Sequence, residues 1–142
     1  MLNTMSFASN YGVFVSFSYI ASQIYSPFGL TAEDVAINAL IKLCSGVLGS
    51  LVFSVLLDYT EAYKKTLILC KVASAISLFL VMMSLTHGWS LQTLRYILAA
   101  WGFFCFPTAP IQLGLGVEMS FPVQPILVNG VMFIVLYFVI GI

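Results

Sequence analysis

Charge in this chain is concentrated at one place, and that placement constrains the fold more than any other feature. Four charged side chains lie within eight residues, Asp58, Glu61, Lys64 and Lys65, and long apolar runs precede and follow them. Such a cluster cannot be buried in hydrocarbon, whereas the flanking runs are apolar enough to be. The pattern predicts two membrane-spanning helices joined by a water-exposed hinge over residues 58–65.

The composition indicates an integral membrane protein. Hydrophobic residues make up 61% of the chain, charged residues 7%, and the mean hydropathy is +1.08, whereas a soluble domain is about a quarter charged. With a formal net charge of zero and five basic residues, we expect no nucleic-acid partner. The widely spaced Cys44, Cys70 and Cys105 predict buried small side chains rather than a metal site or a disulfide framework. Nothing in the sequence calls for a cofactor.

Five apolar runs divide the chain, and we assign one membrane span to each. A span needs about 20 residues, and the last run is near the lower limit of about 17. The predicted spans are 6–26, 33–57, 66–85, 91–115 and 126–142. The predicted fold class is therefore all-α, a polytopic membrane helical bundle of five transmembrane helices.

Basic residues set the expected orientation of the bundle. Lys64, Lys65 and Lys71 surround the hinge, whereas Lys42 and Arg95 fall on the opposite side. Because Lys and Arg favour the cytoplasmic side, the hinge should be cytoplasmic. Five spans then place the N-terminus inside and the C-terminus outside.

The second apolar run carries three local signals. Thr31 and Asp34 have the spacing of a capping box, so the helix should begin near Ala32. Lys42 lies about two turns further on, where a lysine can extend to an interface or face a water-filled cavity, and we expect the first. Small residues over 45–50 should allow another helix to approach closely.

The fourth apolar run contains Pro107 and Pro110 in its second half. Two prolines should kink or open the helix, and the freed backbone groups must then face protein or a water-lined cavity. This helix is therefore a candidate pathway element. His87, the one histidine in the sequence, is expected in an interfacial loop beside Trp89.

Several short stretches resemble a known family. Asp58-Tyr59-Thr60 followed by Tyr63-Lys64 resembles the loop between the second and third helices of one half of a major facilitator superfamily transporter. More narrowly, it is similar to the feline leukaemia virus subgroup C receptor-related branch. Further stretches agree in order: Tyr11-Gly12 with Tyr19, Leu94–Ile97, Leu113-Gly114, Val117-Glu118, Phe121-Pro122 and Leu127–Asn129.

The resemblance implies a fold and an activity. Residues 1–142 align with the seventh to eleventh helices of a twelve-helix transporter, which is part of the C-terminal half. The implied function is alternating-access transport of a small organic solute, a choline-like or ethanolamine-like amine or haem. The implied partners are the lipid bilayer, the solute and the missing transporter half or an oligomer partner. The implied location is multi-pass insertion in either the plasma membrane or an organelle membrane.

Candidate solute-binding residues are Tyr19, Trp101 and Asn129. Tyr19 matches a cavity-lining tyrosine of the family, and its ring and hydroxyl suit a cation with a polar head. A position facing lipid or packed in the core is an equal alternative for this residue. A quaternary ammonium group is bound by aromatic cages, and rings are plentiful on the first and fourth runs: Phe14, Phe17, Tyr19, Trp101, Phe103, Phe104 and Phe106. Since apolar spans are rich in aromatic residues, we expect core packing for most of this set.

Asp58, Lys64 and Glu118 are the candidate gating residues. Asp58 should end the second helix beside the N-terminus of the fifth, whose partial positive charge attracts an anion. A solvated acid at a helix end is the alternative.

Besides transport, the sequence can be interpreted as a non-transporting membrane protein or as an enzyme. A non-transporting membrane assembly or interaction protein, derived from a truncated transporter half, remains an alternative. An enzyme is not supported, because the sequence has no His-Glu-x-x-His, no Gly-x-Ser-x-Gly and no paired carboxylates within an apolar run.

Overall fold

The chain folds into helices joined by short connections. The computed structural model describes residues 2–29, 31–60 and 62–140. Within those residues there is no strand, so the predicted all-α class is confirmed. The helices are α1 (Leu2–Tyr25), α2 (Ala32–Thr60), α3 (Tyr63–Thr86), α4 (Leu91–Cys105), α5 (Thr108–Met119) and α6 (Pro125–Ile140), with a 3₁₀ turn at Ser26–Phe28.

Three stretches of the described chain are long and apolar enough to cross a membrane. They are α2, α3 and the run Leu91–Met119, which comprises α4 and α5. The last helix is apolar but shorter, and α1 is 24 residues long. By length and composition these elements identify a membrane protein. The fourth predicted helix is present as two helices separated by a break.

The start of α2 is stabilised by the predicted capping box. The Asp34 N–H donates to Thr31 Oγ1 at 3.2 Å, and the Thr31 N–H donates to Asp34 Oδ2 at 3.3 Å. These reciprocal bonds satisfy donors that have no partner within the helix. Arg95 Nη2 of α4 also forms an ion pair with Asp34 Oδ1 at 3.1 Å. The cap therefore also ties α2 to α4.

Close packing of α2 on α4 organises the bundle, and two glycines permit it. A Cβ atom at Gly102 would collide with the Lys42 carbonyl oxygen and lie 2.7 Å from Ser45 Oγ. One at Gly49 would collide with the Phe103 backbone. The predicted close approach at 45–50 is thus confirmed, and α4 is the helix that approaches.

Three apolar clusters hold the remaining helices around this pair. The first joins α1, α3 and α4, the second joins α2, α3 and α5, and the third joins α1 to α6. Cys70 and Cys105 are buried in the first two clusters as predicted, but Cys44 is exposed on α2, contrary to the prediction. The broken helix α4–α5 therefore contributes to the core along its whole length.

The α2–α4 contact predicts the effect of adding one methyl group. Gly102→Ala should lower the free energy of unfolding by about 1–3 kcal/mol, because backbone atoms must move apart to admit the Cβ. Gly114→Ala is the matched control, since nothing lies within 4 Å of its added Cβ. Unfolding by sodium dodecyl sulfate, followed by circular dichroism, measures both. Equal stability of the two variants would contradict the close approach.

Candidate functional site

The predicted break in the fourth run lies at Phe106 and Pro107, between α4 and α5. The Thr108 hydroxyl donates to the Cys105 carbonyl oxygen at 2.6 Å and accepts from Asn10 Nδ2 of α1 at 2.9 Å. Proline has no N–H to donate, so a helix that contains it loses a backbone bond. Side chains replace part of the lost bonding here, and the break is buried inside the bundle.

Lys42 of α2 points into the bundle beside this break. Its side chain is 6% exposed, and its Nζ donates to Ser18 Oγ of α1 at 2.7 Å. The Ser18 hydroxyl in turn donates to the Phe14 carbonyl oxygen at 2.9 Å. The prediction that Lys42 extends to an interface was wrong, because the ammonium finds hydroxyl and aromatic partners between the helices.

Three aromatic rings surround the Lys42 ammonium. The distances from Nζ to the ring centroids are 4.3 Å for Phe14, 5.2 Å for Trp101 and 5.5 Å for Phe17. Such contacts are worth about 2 kcal/mol when the cation is desolvated. Within the described residues no carboxylate lies within 4.0 Å of this ammonium. Ring faces and one hydroxyl therefore stabilise the charge in place of an acid.

The helical period of α2 explains why Lys42 is buried. The buried residues of α2 recur every three or four positions: Asn38, Lys42, Gly46, Gly49, Phe53 and Leu57. Lys42 belongs to this stripe and so faces α1 and α4. Asn38 lies on the same stripe but was not predicted as a site residue, and its amide oxygen and nitrogen are both buried and lack a partner among the described groups. A cavity of about 50 Å³ between Asn38, Lys42 and Tyr25 has room for water to bond this amide.

A second lysine enters the bundle from α3. Lys71 Nζ donates to Ser6 Oγ of α1. With the Gln112 amide oxygen facing the donors, it accepts from Lys71 Nζ at 2.9 Å and from the Phe7 N–H at 3.2 Å. Asn3 Nδ2 also donates to the Gln112 backbone carbonyl at 3.1 Å. Lys71 thus joins α1, α3 and α5 on the hinge side of the break.

The predicted solute-binding residues occupy different places. Trp101 is 1% exposed and packs edge-to-face on Phe17, with ring centroids 4.9 Å apart. Tyr19 is 71% exposed on α1. Asn129 of α6 is half-buried, and its Oδ1 is buried without a partner in the described part of the chain. The cavity that Trp101 lines has neither of the other two in its wall.

Two of the three predicted gating residues come together. Lys64 and Glu118 line one cavity of about 270 Å³ at the hinge end, although no ion pair within 4.0 Å joins them. Asp58 is exposed at the end of α2 and is not in that wall. Glu61, the fourth charged residue of the hinge, lies outside the described residues.

The fold and the site define a membrane protein with a broken helix and two lysines inside its bundle. No known family profile matches the chain, and no solved structure matches it. A curated relative does match. The choline/ethanolamine transporter FLVCR1 of Mus terricolor is 28% identical over 126 residues, which cover 86% of this chain and 22% of that protein. The chain spans about a fifth of the length of this relative.

The ring cluster predicts that the sign of the charge at position 42 matters. Lys42→Glu should unfold more easily than Lys42→Gln by about 2 kcal/mol at pH 8, because a carboxylate would face the negative ring faces. Lys65→Glu and Lys65→Gln, at an exposed position, should differ little. Denaturant titrations of all four variants supply the comparison. Equal stability of the two position-42 variants would show that the aromatic rings do not favour a positive over a negative charge at this position.

Proposed function

We propose that this chain forms one wall of the solute pathway of a multi-pass membrane transporter. The observation that carries the proposal is the broken helix α4–α5, around which Lys42, Lys71, Asn10 and Gln112 make polar contacts inside the bundle. Ionisable groups at membrane depth mark substrate or ion pathways. Discontinuous helices form the binding sites of many secondary transporters. The similarity to a transporter supports the same class.

The proposed solute is a small amine of the choline or ethanolamine kind. The relative's name supports this class for that protein. In this chain, Phe14, Phe17 and Trp101 already surround one alkylammonium group, that of Lys42. Because Lys42 occupies these ring faces, a solute ammonium would bind other aromatic rings of the pathway, such as that of Tyr19. Haem, which the family resemblance also implies, has no comparable support from these contacts.

Tyr19 and Asn129 are proposed to face the pathway in the assembled transporter. Tyr19 is largely exposed on α1, so its ring and hydroxyl are accessible to a solute between two halves. The buried Asn129 Oδ1 lacks a partner among the described groups, and a polar solute or water would supply one. Both roles are proposals that extend the family resemblance.

The proposed cytoplasmic gate lies at the hinge end of the bundle. Lys64 and Glu118 line one cavity there, and their opposite charges could approach when the gate closes. Asp58 is proposed to engage groups of the other half, since its side chain is exposed. Opening and closing such a gate would break and form ion pairs between exposed side chains. Exposed ion pairs contribute little free energy, so they are easily broken.

One wall alone should not move solute, and this gives the first functional test. In liposomes, the 142-residue chain should show no saturable uptake of radiolabelled choline, because the pathway of a major facilitator lies between two halves. The control is the same chain combined with complementary helices of a full-length transporter, for which protein-dependent uptake is expected. Saturable uptake by the chain as a monomer would refute the one-wall proposal. Absence of uptake in both preparations would instead favour the non-transporting assembly protein.

The proposed role of Tyr19 gives a second test in the assembled transporter. Tyr19→Ala should reduce choline uptake about tenfold or more, whereas Tyr19→Phe should retain the part that comes from the ring. Tyr96→Ala is the matched control, because Tyr96 is an exposed tyrosine of α4. Uptake is compared at equal amounts of protein in the membrane. Wild-type uptake by Tyr19→Ala would remove this residue from the site.

A further inference from the structure

A cavity of about 250 Å³ lies between α1, α3 and α4, and its wall includes Asn10, Lys71 and Trp101. Its wall includes the polar residues Ser6, Ser9, Asn10, Lys71 and Ser74. The wall also includes apolar residues, among them Val13, Leu78 and Trp101. No carboxylate residue is in this wall, so Lys71 carries its one formal charge.

The Lys71 ammonium has a donor left for a ligand. An ammonium group has three N–H donors. Two of them are directed to Ser6 Oγ and to the Gln112 side-chain oxygen. Within the described residues no Asp or Glu lies within 4.0 Å of Nζ. The third donor and the uncompensated positive charge therefore favour binding of a ligand that has an anionic oxygen. The serine hydroxyls of the same wall lie near this position.

The polar cavity continues into a larger apolar groove. This groove, of about 560 Å³, runs between α1 and α3 and shares Ser9, Val13 and Leu78 with the polar cavity. Its wall extends to Ile24 on α1 and to Met82 on α3. From Lys71 to Met82 the α3 axis rises about 16 Å. The two cavities together thus have a cationic end and a long apolar end.

We infer that this composite cavity binds an anionic amphiphile, with its carboxylate or phosphate at Lys71 and one acyl chain in the groove between α1 and α3. Burial of the acyl chain beside Val13 and Leu78 contributes favourable free energy, because apolar surface leaves water. The head group gains charge-assisted hydrogen bonds from Lys71. This inference does not depend on the proposed transport of amines. A free fatty acid and an anionic phospholipid share this chemistry.

Native mass spectrometry of the purified chain, released from phosphatidylcholine nanodiscs, tests the inference with laurate as the probe. The wild-type chain should bind laurate, and Lys71→Met should bind it about tenfold more weakly or less. Lys65→Met, on the same helix but outside this cavity, should bind as the wild type does. Dodecanol has the same chain without the charge and should bind weakly. Equal laurate binding by wild type and Lys71→Met, or equal binding of laurate and dodecanol, would overturn the inference.

Two further variants separate ligand binding from folding. Lys71→Arg keeps the positive charge and should retain binding even if Lys71→Met proves unstable. Ser16→Phe fills the groove while leaving Lys71 in place, so it should abolish laurate binding but not folding, as judged by circular dichroism. Wild-type binding by Ser16→Phe would exclude the groove as the site of the acyl chain.

The mass of the retained ligand distinguishes a free fatty acid from a phospholipid taken from the membrane. Nanodiscs that also contain phosphatidylglycerol offer an anionic phospholipid in competition with laurate. A retained phosphatidylglycerol mass that is lost in Lys71→Met supports the site with the membrane as the source. Retention of laurate alone supports a free fatty acid. Retention of either mass to the same extent in Lys71→Met counts against the site.

Discussion

The structure depends on placing the Lys42 ammonium inside the bundle, where no acid of the described residues lies within 4.0 Å of it. A buried charge is costly unless other groups compensate for it. Here α1 provides Ser18, Phe14 and Phe17, and α4 provides Trp101. The lysine thereby fixes how α1, α2 and α4 meet, because moving any of them by a few ångströms would leave the ammonium unpaired. The close α2–α4 approach at Gly102 holds the base of its side chain in place.

The break between α4 and α5 accounts for part of the polar interior. Pro107 interrupts the backbone bonding, and Asn10 and Thr108 bond the groups around it. Lys42 and Lys71 add to this interior from α2 and α3, and their hydroxyl partners on α1 are Ser18 and Ser6. α1 is therefore the helix from which polar partners reach both the break and the two lysines.

Much of the fold could be predicted from the sequence, because the signals are local. Hydrophobic run lengths predicted the helices, the Thr31–Asp34 spacing predicted a cap, and Pro107 predicted the break. The position of the Lys42 side chain was predicted wrongly, because its charge favoured an interface. In the structure Lys42 belongs to the buried stripe of α2 and points to the interior. The pairing of Lys71 with Gln112 joins residues far apart in sequence, which no local pattern reports. The roles of the predicted site residues stay predictions.

The way α1 is attached differs from the way α2 and α4 are attached to each other. Glycines allow α2 and α4 to pack backbone against backbone, whereas α1 makes its most extensive contacts with α6. Towards α3 and α5, α1 shares apolar clusters and adds single hydrogen bonds from polar side chains, each worth about 1 kcal/mol net. A shift of α1 with α6 would exchange these polar bonds for others or for water, and it would also break the contacts of Lys42 with Ser18, Phe14 and Phe17. The cost of moving α1 against the α2–α4 pair is therefore set mainly by the Lys42 ammonium, whose partners would have to be replaced.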